Sequence, residues 1–248
     1  MEPSLETLIK EYQVPPEVVE EINSIPTVVL TGITGAGKDT IIGDILEETD
    51  ELVRVVTSTT RAMRENNGVM ETEGKEYYFL TLDQAIQKIN NGEYIEVAPV
   101  HGQVNGSLVA EFRRISGIGK TALMDVNFEG VEKYMTFGMK ELSVYFVMPP
   151  SFEIWLARLM KRQGGTIGDH EEILRRFRSA QVELDRAENH PQYIPIINDV
   201  SRETAHRIVE YTRTHTGPTP EERAHAIEGI QELNRAISDY IEQLEGER

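Results

Sequence analysis

The residues best suited to chemistry form a short glycine-rich run near the start of the chain. Gly32, Gly35 and Gly37 follow an apolar stretch, and Lys38 and Thr40 come behind them. Glycines in such a turn can adopt positive φ and direct several backbone N–H groups into one concavity, at the positive end of a helix dipole. The lysine would reach the β- and γ-phosphates of a polyphosphate, and a hydroxyl behind it would hold Mg²⁺. The run predicts a phosphate-binding loop.

The residue after the lysine departs from the usual pattern, in which Ser or Thr follows it directly. This chain has Asp39 in that place and Thr40 one position later. We expect Thr40 to supply the hydroxyl, but the spacing leaves open whether Asp39 or Thr40 meets the metal. The residues predicted to bind the nucleotide are Gly32, Thr34, Gly35, Ala36, Gly37, Lys38, Asp39 and Thr40.

The segments on either side of the loop have the patterns needed to position it. Residues 26–30 are rich in β-branched side chains, as in a buried parallel strand, and residues 41–46 have helical spacing. Strands alternate with helices further along, which predicts a parallel sheet flanked by helices. We predict strands over 52–57, 77–80, 94–100, 121–126, 142–148 and 194–197, and helices over 81–91, 107–117, 151–163, 169–188 and 201–213.

Length and composition favour one main domain. The chain has 248 residues, of which 39% are hydrophobic, enough for one substantial core. It lacks an apolar run near the ~18 residues that a membrane span needs, and its first residues are acidic, unlike a signal peptide. The absence of cysteine excludes disulfides and thiolate zinc sites. We therefore expect a soluble protein in the cytoplasm.

The charge of the chain is strongly negative but unevenly distributed. The formal net charge is −17, which opposes binding to nucleic acid or to an anionic membrane. Residues 1–25 and 217–248 each carry −5, and residues 26–216 carry −7 together with nearly all the arginine. This central part could bind an anionic substrate.

Two further groups of residues suit phosphate chemistry. Arg61 and Arg64 lie three apart just after a predicted strand, and guanidinium groups bind phosphate as a bidentate fork. Taken alone, such a pair is more often a solvated surface. Asp125 ends an apolar run at the carboxyl end of a strand, where an acid commonly orients the magnesium shell. The alternative is an ordinary aspartate at a strand end.

The surroundings of the arginine pair point to a known family. Residues 57–64, 74–79 and 91–96, with Gly106 and Ser107, resemble in order and spacing the substrate-binding region of guanylate kinases. The resemblance covers about residues 26–212. It implies an α/β P-loop kinase with a parallel sheet flanked by helices, a small mixed α/β acceptor-binding insertion at about 57–110, a helical lid at about 158–176 and an extra C-terminal helix.

The resemblance also implies a binding site for the acceptor GMP. Arg61, Arg64 and Tyr77 would hold its phosphate, and the residues near the base would be Thr57, Glu96, Ser107 and Asn127. A carboxylate can accept two hydrogen bonds from the N1–H and 2-amino groups of guanine, an edge that adenine lacks. Without this context, Glu96 would be taken for an exposed strand residue. Asn105 and Asn127 replace a tyrosine and an aspartate that are usual in the family.

The lid would contribute arginines to the transfer itself. Four of them resemble the lid arginines of the family, namely Arg158, Arg162, Arg175 and Arg176. We choose Lys38, Arg162 and Arg176 as the catalytic residues, and Thr40 and Asp125 as the metal site. Phosphoryl transfer needs little covalent help, and the acceptor phosphate is already a nucleophile, so no general base is expected.

These residues predict a guanylate kinase that transfers phosphate from ATP to GMP, and to dGMP, with Mg²⁺. A kinase of another phosphorylated acceptor, such as ribose 1,5-bisphosphate, is the nearest alternative, because related enzymes also tolerate Asp after the loop lysine. A non-catalytic guanylate-kinase-like interaction module is the alternative from another class. Such modules have lost the phosphate loop, whereas here Gly32 to Lys38 is intact.

The two ends of the chain lie outside the resemblance. Residues 1–25 have short helical patterns, and residues 217–248 predict one long helix that begins near Pro220. Its apolar residues follow the spacing of a short coiled coil with one Asn in the seam. They are Ile227, Ile230, Asn234, Ile237, Ile241 and Leu244. The protein would be a homodimer through this helix, or a monomer in which the helix packs back on the kinase or on the N-terminal helix.

Overall fold

The computed structural model describes residues 4–66, 68–100, 102–162 and 170–246, apart from the side chains at 66, 162 and 170. The chain divides into two compact units. Unit 1 comprises Met1–Thr27, Val53–Ala122 and Glu132–Glu141, and unit 2 comprises Val28–Leu52, Leu123–Val131 and Leu142–Arg248. None of the described helices is long and apolar enough to cross a membrane.

Helices and strands alternate along most of the described chain. The helices are α1 (Leu5–Glu11), α2 (Pro16–Ile22), α3 (Lys38–Glu48), α4 (Leu82–Asn90), α5 (Val109–Gly117), α6 (Phe128–Thr136), α7 (Phe152–Arg162), α8 (His170–Asn189), α9 (Ser201–Thr214) and α10 (Pro220–Gly246). The strands are β1 (Thr27–Thr31), β2 (Leu52–Arg54), β3 (Ser58–Thr59), β4 (Glu65–Asn66), β5 (Val69–Met70), β6 (Tyr78–Phe79), β7 (Tyr94–Val100), β8 (Gln103–Leu108), β9 (Thr121–Asp125), β10 (Leu142–Met148) and β11 (Tyr193–Ile197).

A five-stranded sheet with the order β11-β10-β1-β9-β2 carries the phosphate loop. Strands β10 and β11 pair in parallel, from Val144 opposite Tyr193 to Met148 opposite Ile197. All residues of β1 are buried, as expected for a strand that helices cover on both faces. The predicted parallel sheet flanked by helices is confirmed.

Unit 1 contains a four-stranded mixed sheet with the order β6-β3-β8-β7. Strand β3 pairs in parallel with β6 and antiparallel with β8, and β7 and β8 form an antiparallel hairpin. Helix α4 packs beside it and begins with the capping box that the sequence predicts, between Thr81 and Gln84. The apolar cluster between them contains Ala85, Ile89, Tyr94, Val97, Val104 and Leu108.

Several predicted boundaries were wrong. The helix predicted over 107–117 begins at Val109, because residues 103–108 form β8. The strand predicted over 52–57 ends at Arg54, and the short β4–β5 hairpin and α6 were not predicted. The apolar periodicity of these short segments was too weak to separate strand from helix. Residues 163–169 of the predicted lid lie outside the described residues.

The C-terminal helix α10 packs against α8 and β11 within unit 2. Its apolar face is buried there, at Ala226, Ile230, Leu233, Ile237 and Ile241. The seam residue Asn234 donates a hydrogen bond from its side chain to the Asp185 carboxylate. Of the two arrangements expected for this helix, the structure has the one in which it packs back on the chain. A homodimer stays a prediction.

Candidate active site

The backbone of the phosphate loop adopts the positive φ angles that its glycines predict. Gly32 has φ +131°, and a Cβ atom there would lie 2.1 Å from the Val147 backbone oxygen. Gly37 adopts the left-handed conformation and immediately precedes α3, which begins at Lys38. Only glycine satisfies both the conformation and the contact at Gly32. The loop therefore turns directly from β1 into the N-terminus of a helix.

Lys38 and two side chains from elsewhere in unit 2 hold the loop by its carbonyl groups. Lys38 Nζ donates to the Gly32 carbonyl oxygen at 2.6 Å. Asn198 Nδ2 donates to the Ala36 carbonyl oxygen at 2.7 Å, and a guanidinium nitrogen of Arg158 donates to the same oxygen at 3.3 Å. Three side chains thus fix the shape of the loop through hydrogen bonds to its carbonyl groups.

A cavity of about 610 Å³ opens beside the loop in unit 2. Asp39, Thr40 and Asp125 all line it, so the three residues proposed for the metal share one space. Two carboxylates and a hydroxyl are oxygen ligands of the kind that Mg²⁺ prefers. The described residues contain no cluster of three or more acidic, histidine or cysteine side chains able to hold a metal.

A second cavity of about 500 Å³ is also lined by Lys38 and Asp125. Helix α8 lines it with Ser179, Glu183 and Arg186, none of which the sequence singled out. Burial raises the pKa of Glu183, and the nearby positive charge of Lys38 acts in the opposite direction. A single glutamate in a charged, amphipathic helix offered no sequence signal for this position.

Asn127 lines the second cavity and also has a structural role. Its Oδ1 accepts a hydrogen bond at 3.0 Å from the Gly130 backbone N–H, at the start of α6. Asn127 belongs to unit 2, whereas the other residues predicted to bind GMP belong to unit 1.

The lid arginines have different surroundings. Arg158 donates to the backbone oxygens of Ala36, Asn198 and Asp199, so it contacts the phosphate loop directly. Arg176 instead forms an ion pair with Glu172, one turn earlier in α8, and its Nε lies 3.1 Å from Glu172 Oε1. The side chain of Arg162 is outside the described residues. We therefore add Arg158, which was not among our catalytic choices, to the candidate site.

Unit 1 holds the two arginines predicted to bind the acceptor phosphate. Arg61 donates to both carboxylate oxygens of Glu71 at 2.9 Å, and Arg64 Nε lies 3.5 Å from the same carboxylate. The Glu71 side chain is only 3% exposed. The Arg61 guanidinium lies 5.4 Å from the centre of the Tyr77 ring, close enough for a cation–π contact. Sequence reasoning named three of these residues and missed Glu71, which comes directly after the β4–β5 hairpin that was not predicted.

Glu96 and Ser107 face each other across the β7–β8 hairpin. Burial raises the pKa of Glu96, while Lys133 and the Ser107 hydroxyl lower it. Ser107 Oγ and Tyr134 Oη are buried and make no hydrogen bond of normal geometry within the described residues. The negative charge of Glu96 contributes to the raised pKa of Tyr134, so the three groups are close neighbours. Tyr134 was not predicted, because nothing near it in the sequence suggests a polar site.

The remaining predicted positions carry ordinary strand contacts. The Thr57 backbone oxygen accepts a hydrogen bond from the Tyr78 N–H at 2.9 Å. Asn105 Oδ1 accepts one from the Thr59 hydroxyl at 2.6 Å, which fixes the side chain that replaces the family's usual tyrosine. Six of the residues predicted to bind GMP therefore belong to unit 1, namely Thr57, Arg61, Arg64, Tyr77, Glu96 and Ser107.

Most of the chain matches the model of a known family. Residues 24–215 match the model described as guanylate kinase, which is more than half of the chain. The chain belongs to the guanylate kinase family. It is a nucleoside monophosphate kinase, which confirms the resemblance seen in the sequence.

Individual guanylate kinases are similar over the same segment. The chain is 35% identical to the guanylate kinase of Nocardia farcinica over 169 residues, 67% of this chain and 83% of that one. It is 32% identical to guanylate kinase 1 of Oryza sativa over 161 residues, 64% of this chain and 40% of that longer one. The crystal structure of guanylate kinase from Anaplasma phagocytophilum superposes with a TM-score of 0.55 at 28% identity, covering 79% of this chain and 88% of that one.

The guanylate kinase match leaves both ends of the chain unexplained. Helices α1, α2 and α10 lie entirely outside residues 24–215. Family membership therefore accounts for the phosphate loop and the mixed sheet, but not for α1, which packs against β7 and α4, or for α10, which packs against α8 and β11.

Proposed function

We propose that this guanylate kinase transfers the γ-phosphoryl group of ATP to GMP, and to dGMP, giving ADP and the nucleoside diphosphate. The observation that carries the acceptor assignment is the position of Glu96, which is paired with Ser107 on the sheet that also contains the strands beside Arg61 and Tyr77. A partly buried carboxylate there can accept hydrogen bonds from N1–H and the 2-amino group of guanine. Adenine presents no such pair of donors.

The phosphate loop supports ATP as the donor. Lys38 begins α3 directly behind Gly37, so the positive end of the helix dipole faces the loop concavity. In this proposal, Thr40 and Asp125 hold Mg²⁺ or its water shell, with Asp39 as the neighbouring oxygen ligand. When bound, Mg²⁺ would neutralise part of the phosphate charge.

Arginines supply the remaining positive charge around the transferred group. Arg61 and Arg64, aligned by Glu71, would bind the phosphate of GMP together with the Tyr77 hydroxyl. Lys38, Arg162, Arg176 and Arg158 would stabilise charge on the donor phosphates. The acceptor phosphate attacks as the anion, so no residue needs to remove a proton.

The proposed function is tested by measuring ADP formation from ATP and Mg²⁺ with a panel of acceptors. The panel contains GMP, dGMP, AMP, IMP and ribose 1,5-bisphosphate, and Lys38→Ala serves as the inactive control. We expect turnover with GMP and dGMP at least tenfold above the other acceptors, the minimum that loss of paired hydrogen bonds should cause.

Other outcomes would redirect the assignment. Preferred turnover of ribose 1,5-bisphosphate would mean that Glu96 does not select the acceptor. Absence of turnover with every acceptor would contradict the proposal and favour the interaction-module alternative. The cytoplasmic location stays a prediction.

A further inference from the structure

The N-terminal helix α1 is part of unit 1, although the family match begins only at residue 24. Ile9 is 8% exposed and packs in the apolar cluster beneath the β7–β8 hairpin, beside Ile89 and Val97. Leu5, Leu8 and Tyr12 pack against the same cluster. The helix therefore contributes to the core behind the proposed guanine site.

Among the described strands, β7 lies at the edge of this sheet, with β8 as its neighbour. On the outer side of β7, alternate backbone N–H and C=O groups face away from the other described strands of the sheet. At Tyr94, the side chain of Tyr12 forms hydrogen bonds with these groups in place of a neighbouring strand. Its hydroxyl donates to the Tyr94 carbonyl oxygen and accepts from the Tyr94 N–H at 3.1 Å. One phenol thus satisfies both backbone polar groups of Tyr94.

The residue held by Tyr12 begins a β-bulge. Tyr94 pairs with Leu108, and Glu96 pairs with Ser107, so Ile95 is an extra residue on β7. If the same residues paired regularly from Tyr94 and Leu108 onward, with no bulge, Ile95 would lie opposite Ser107 and Glu96 opposite Gly106. The bulge is therefore what sets the carboxylate of Glu96 beside the Ser107 hydroxyl.

Other contacts fix the same corner of the hairpin. The Tyr12 ring contacts the Tyr94 ring edge to face, with centroids 6.5 Å apart. On the other side, Ser58 Oγ lies 3.2 Å from Tyr94 Oη. A Cβ atom at Gly106 would lie 2.7 Å from the Tyr94 ring, so this glycine is needed for the ring to cover the strand. Tyr94 is thus held at its backbone by Tyr12 and at its ring by β3 and β8.

We propose that Tyr12 is a positioning residue for the acceptor base: by fixing the backbone of Tyr94, it holds the bulge that aims Glu96 toward guanine. The inference rests on the proposed function, because it assumes that Glu96 binds the base. It assigns a role in acceptor selection to a segment that precedes the matched kinase domain.

The experiment compares Tyr12→Phe with the wild-type full-length chain. This change removes the hydroxyl and leaves the ring contacts in place. We expect KM for GMP to rise roughly fivefold, the equivalent of one neutral hydrogen bond, while KM for ATP and kcat at saturating GMP stay within twofold. The preference for GMP over IMP, which lacks the 2-amino group, should narrow by a similar factor.

Two further variants distinguish a positioning role of Tyr12 from a general contribution of α1 to the stability of the fold. Tyr211→Phe removes a tyrosine hydroxyl that bonds Glu222 in unit 2, and should leave both KM values unchanged. Ile9→Ala removes core packing but keeps the Tyr12 hydroxyl, so it should lower the melting temperature more than Tyr12→Phe does. If α1 only stabilised the fold, Ile9→Ala would shift GMP selectivity as much as Tyr12→Phe, and the proposal would be overturned.

Hydrogen exchange at the Tyr94 amide tests the contact without any substrate. Loss of its acceptor in Tyr12→Phe should speed exchange at this amide at least fivefold, with distant amides of β10 unchanged. Unchanged exchange contradicts the contact itself. Faster exchange with unaltered KM and GMP selectivity contradicts the role of the bulge in selection. Lack of GMP turnover in the wild type would instead contradict the proposed function, and the selection role with it.

Discussion

Arg61 and Glu71 form a two-point ion pair, in which both terminal nitrogens of the guanidinium lie 2.9 Å from the carboxylate oxygens. The acid is almost fully buried, while the arginine remains partly accessible, with 26% of its side chain exposed. Glu71 also accepts a bond from the Arg64 backbone N–H at 3.0 Å. One carboxylate therefore orients both arginines proposed to bind the acceptor phosphate.

Replacement Glu71→Gln should weaken acceptor binding and stability together. The amide keeps the shape but loses the charge, so we expect KM for GMP to rise about tenfold and the free energy of unfolding to fall by about 1–3 kcal/mol. Acceptor kinetics and urea denaturation measure the two effects. Glu245→Gln, which removes an exposed ion pair with Arg178, should change stability by less than ~1 kcal/mol. Equal effects of the two changes would contradict the role of Glu71.

Glu96 should give GMP binding a distinctive pH dependence. Burial raises the pKa of this carboxyl, and only the ionised form accepts two hydrogen bonds from guanine. As the pH is lowered, kcat/KM for GMP should therefore decrease when Glu96 becomes protonated. This decrease, the acid limb of the pH profile, should begin at a higher pH than it would for a glutamate with an ordinary pKa. A profile between pH 5 and 8, with ATP saturating, measures this.

The variant Glu96→Gln should abolish that acid limb and raise KM for GMP. Because the native state binds the Glu96 proton more tightly than the unfolded chain, its contribution to stability decreases as pH rises from the ordinary carboxyl pKa to the raised one. We therefore expect Glu96→Gln to be at least as stable as the wild type at neutral pH. Glu93→Gln is the control, since Lys88 lowers the pKa of Glu93 and this residue is not opposite Ser107. If the decrease in kcat/KM at low pH were unchanged in Glu96→Gln, another titrating group would be responsible for it.

Thr40 and Asp39 can be distinguished by the concentration of Mg²⁺ needed for activity. Both are exposed in the same cavity, and both can be replaced by side chains of similar size. We expect Thr40→Val to raise the half-saturating Mg²⁺ concentration about tenfold, and Asp39→Asn by less than threefold, because a lost direct ligand costs more than a lost charge nearby. The reverse order would assign the contact to Asp39.

Arg158→Ala should weaken binding of the donor. The side chain bonds the loop carbonyl at Ala36 and lines the cavity beside it, so we expect KM for ATP to rise roughly tenfold with KM for GMP little changed. Steady-state kinetics with each substrate varied in turn test this. Arg178→Ala, on the exposed side of α8, should have neither effect. A selective change in KM for GMP would overturn the assignment.

Substitution of two glycines by alanine should have opposite effects on the stability of the fold. Gly32→Ala would place a Cβ atom 2.1 Å from the Val147 oxygen at φ +131°, and should cost at least ~3 kcal/mol of folding free energy. Gly43 lies within α3, where an added Cβ atom would meet no described atom within 4 Å, so Gly43→Ala should stabilise by about 0.5–1 kcal/mol. Thermal unfolding of the two variants measures the difference, and a tolerated Gly32→Ala would contradict the loop geometry.

Local sequence patterns were sufficient to predict the helices and strands that have strong apolar periodicity or specific capping residues. The strand before Gly32, the capping box of α4 and the long C-terminal helix were all predicted, and the structure confirms them. Ser107 was placed at the start of a helix, but it lies in β8, because the pairing of that short strand with β7 outweighs its weak local preference.

The sequence by itself determined the phosphate loop, since three glycines, a lysine and a hydroxyl at fixed spacing need only their own strand and helix. It also indicated the acceptor residues, through the order of their motifs. Only the tertiary structure decided which groups orient them: Glu71 beside Arg61, Arg158 at Ala36, and Tyr12 at Tyr94, which are 10, 122 and 82 residues apart. The physical reason is that hydrogen bonds and burial act over a few ångströms in space, and a chain reveals such neighbours only after its sheets and helices have packed.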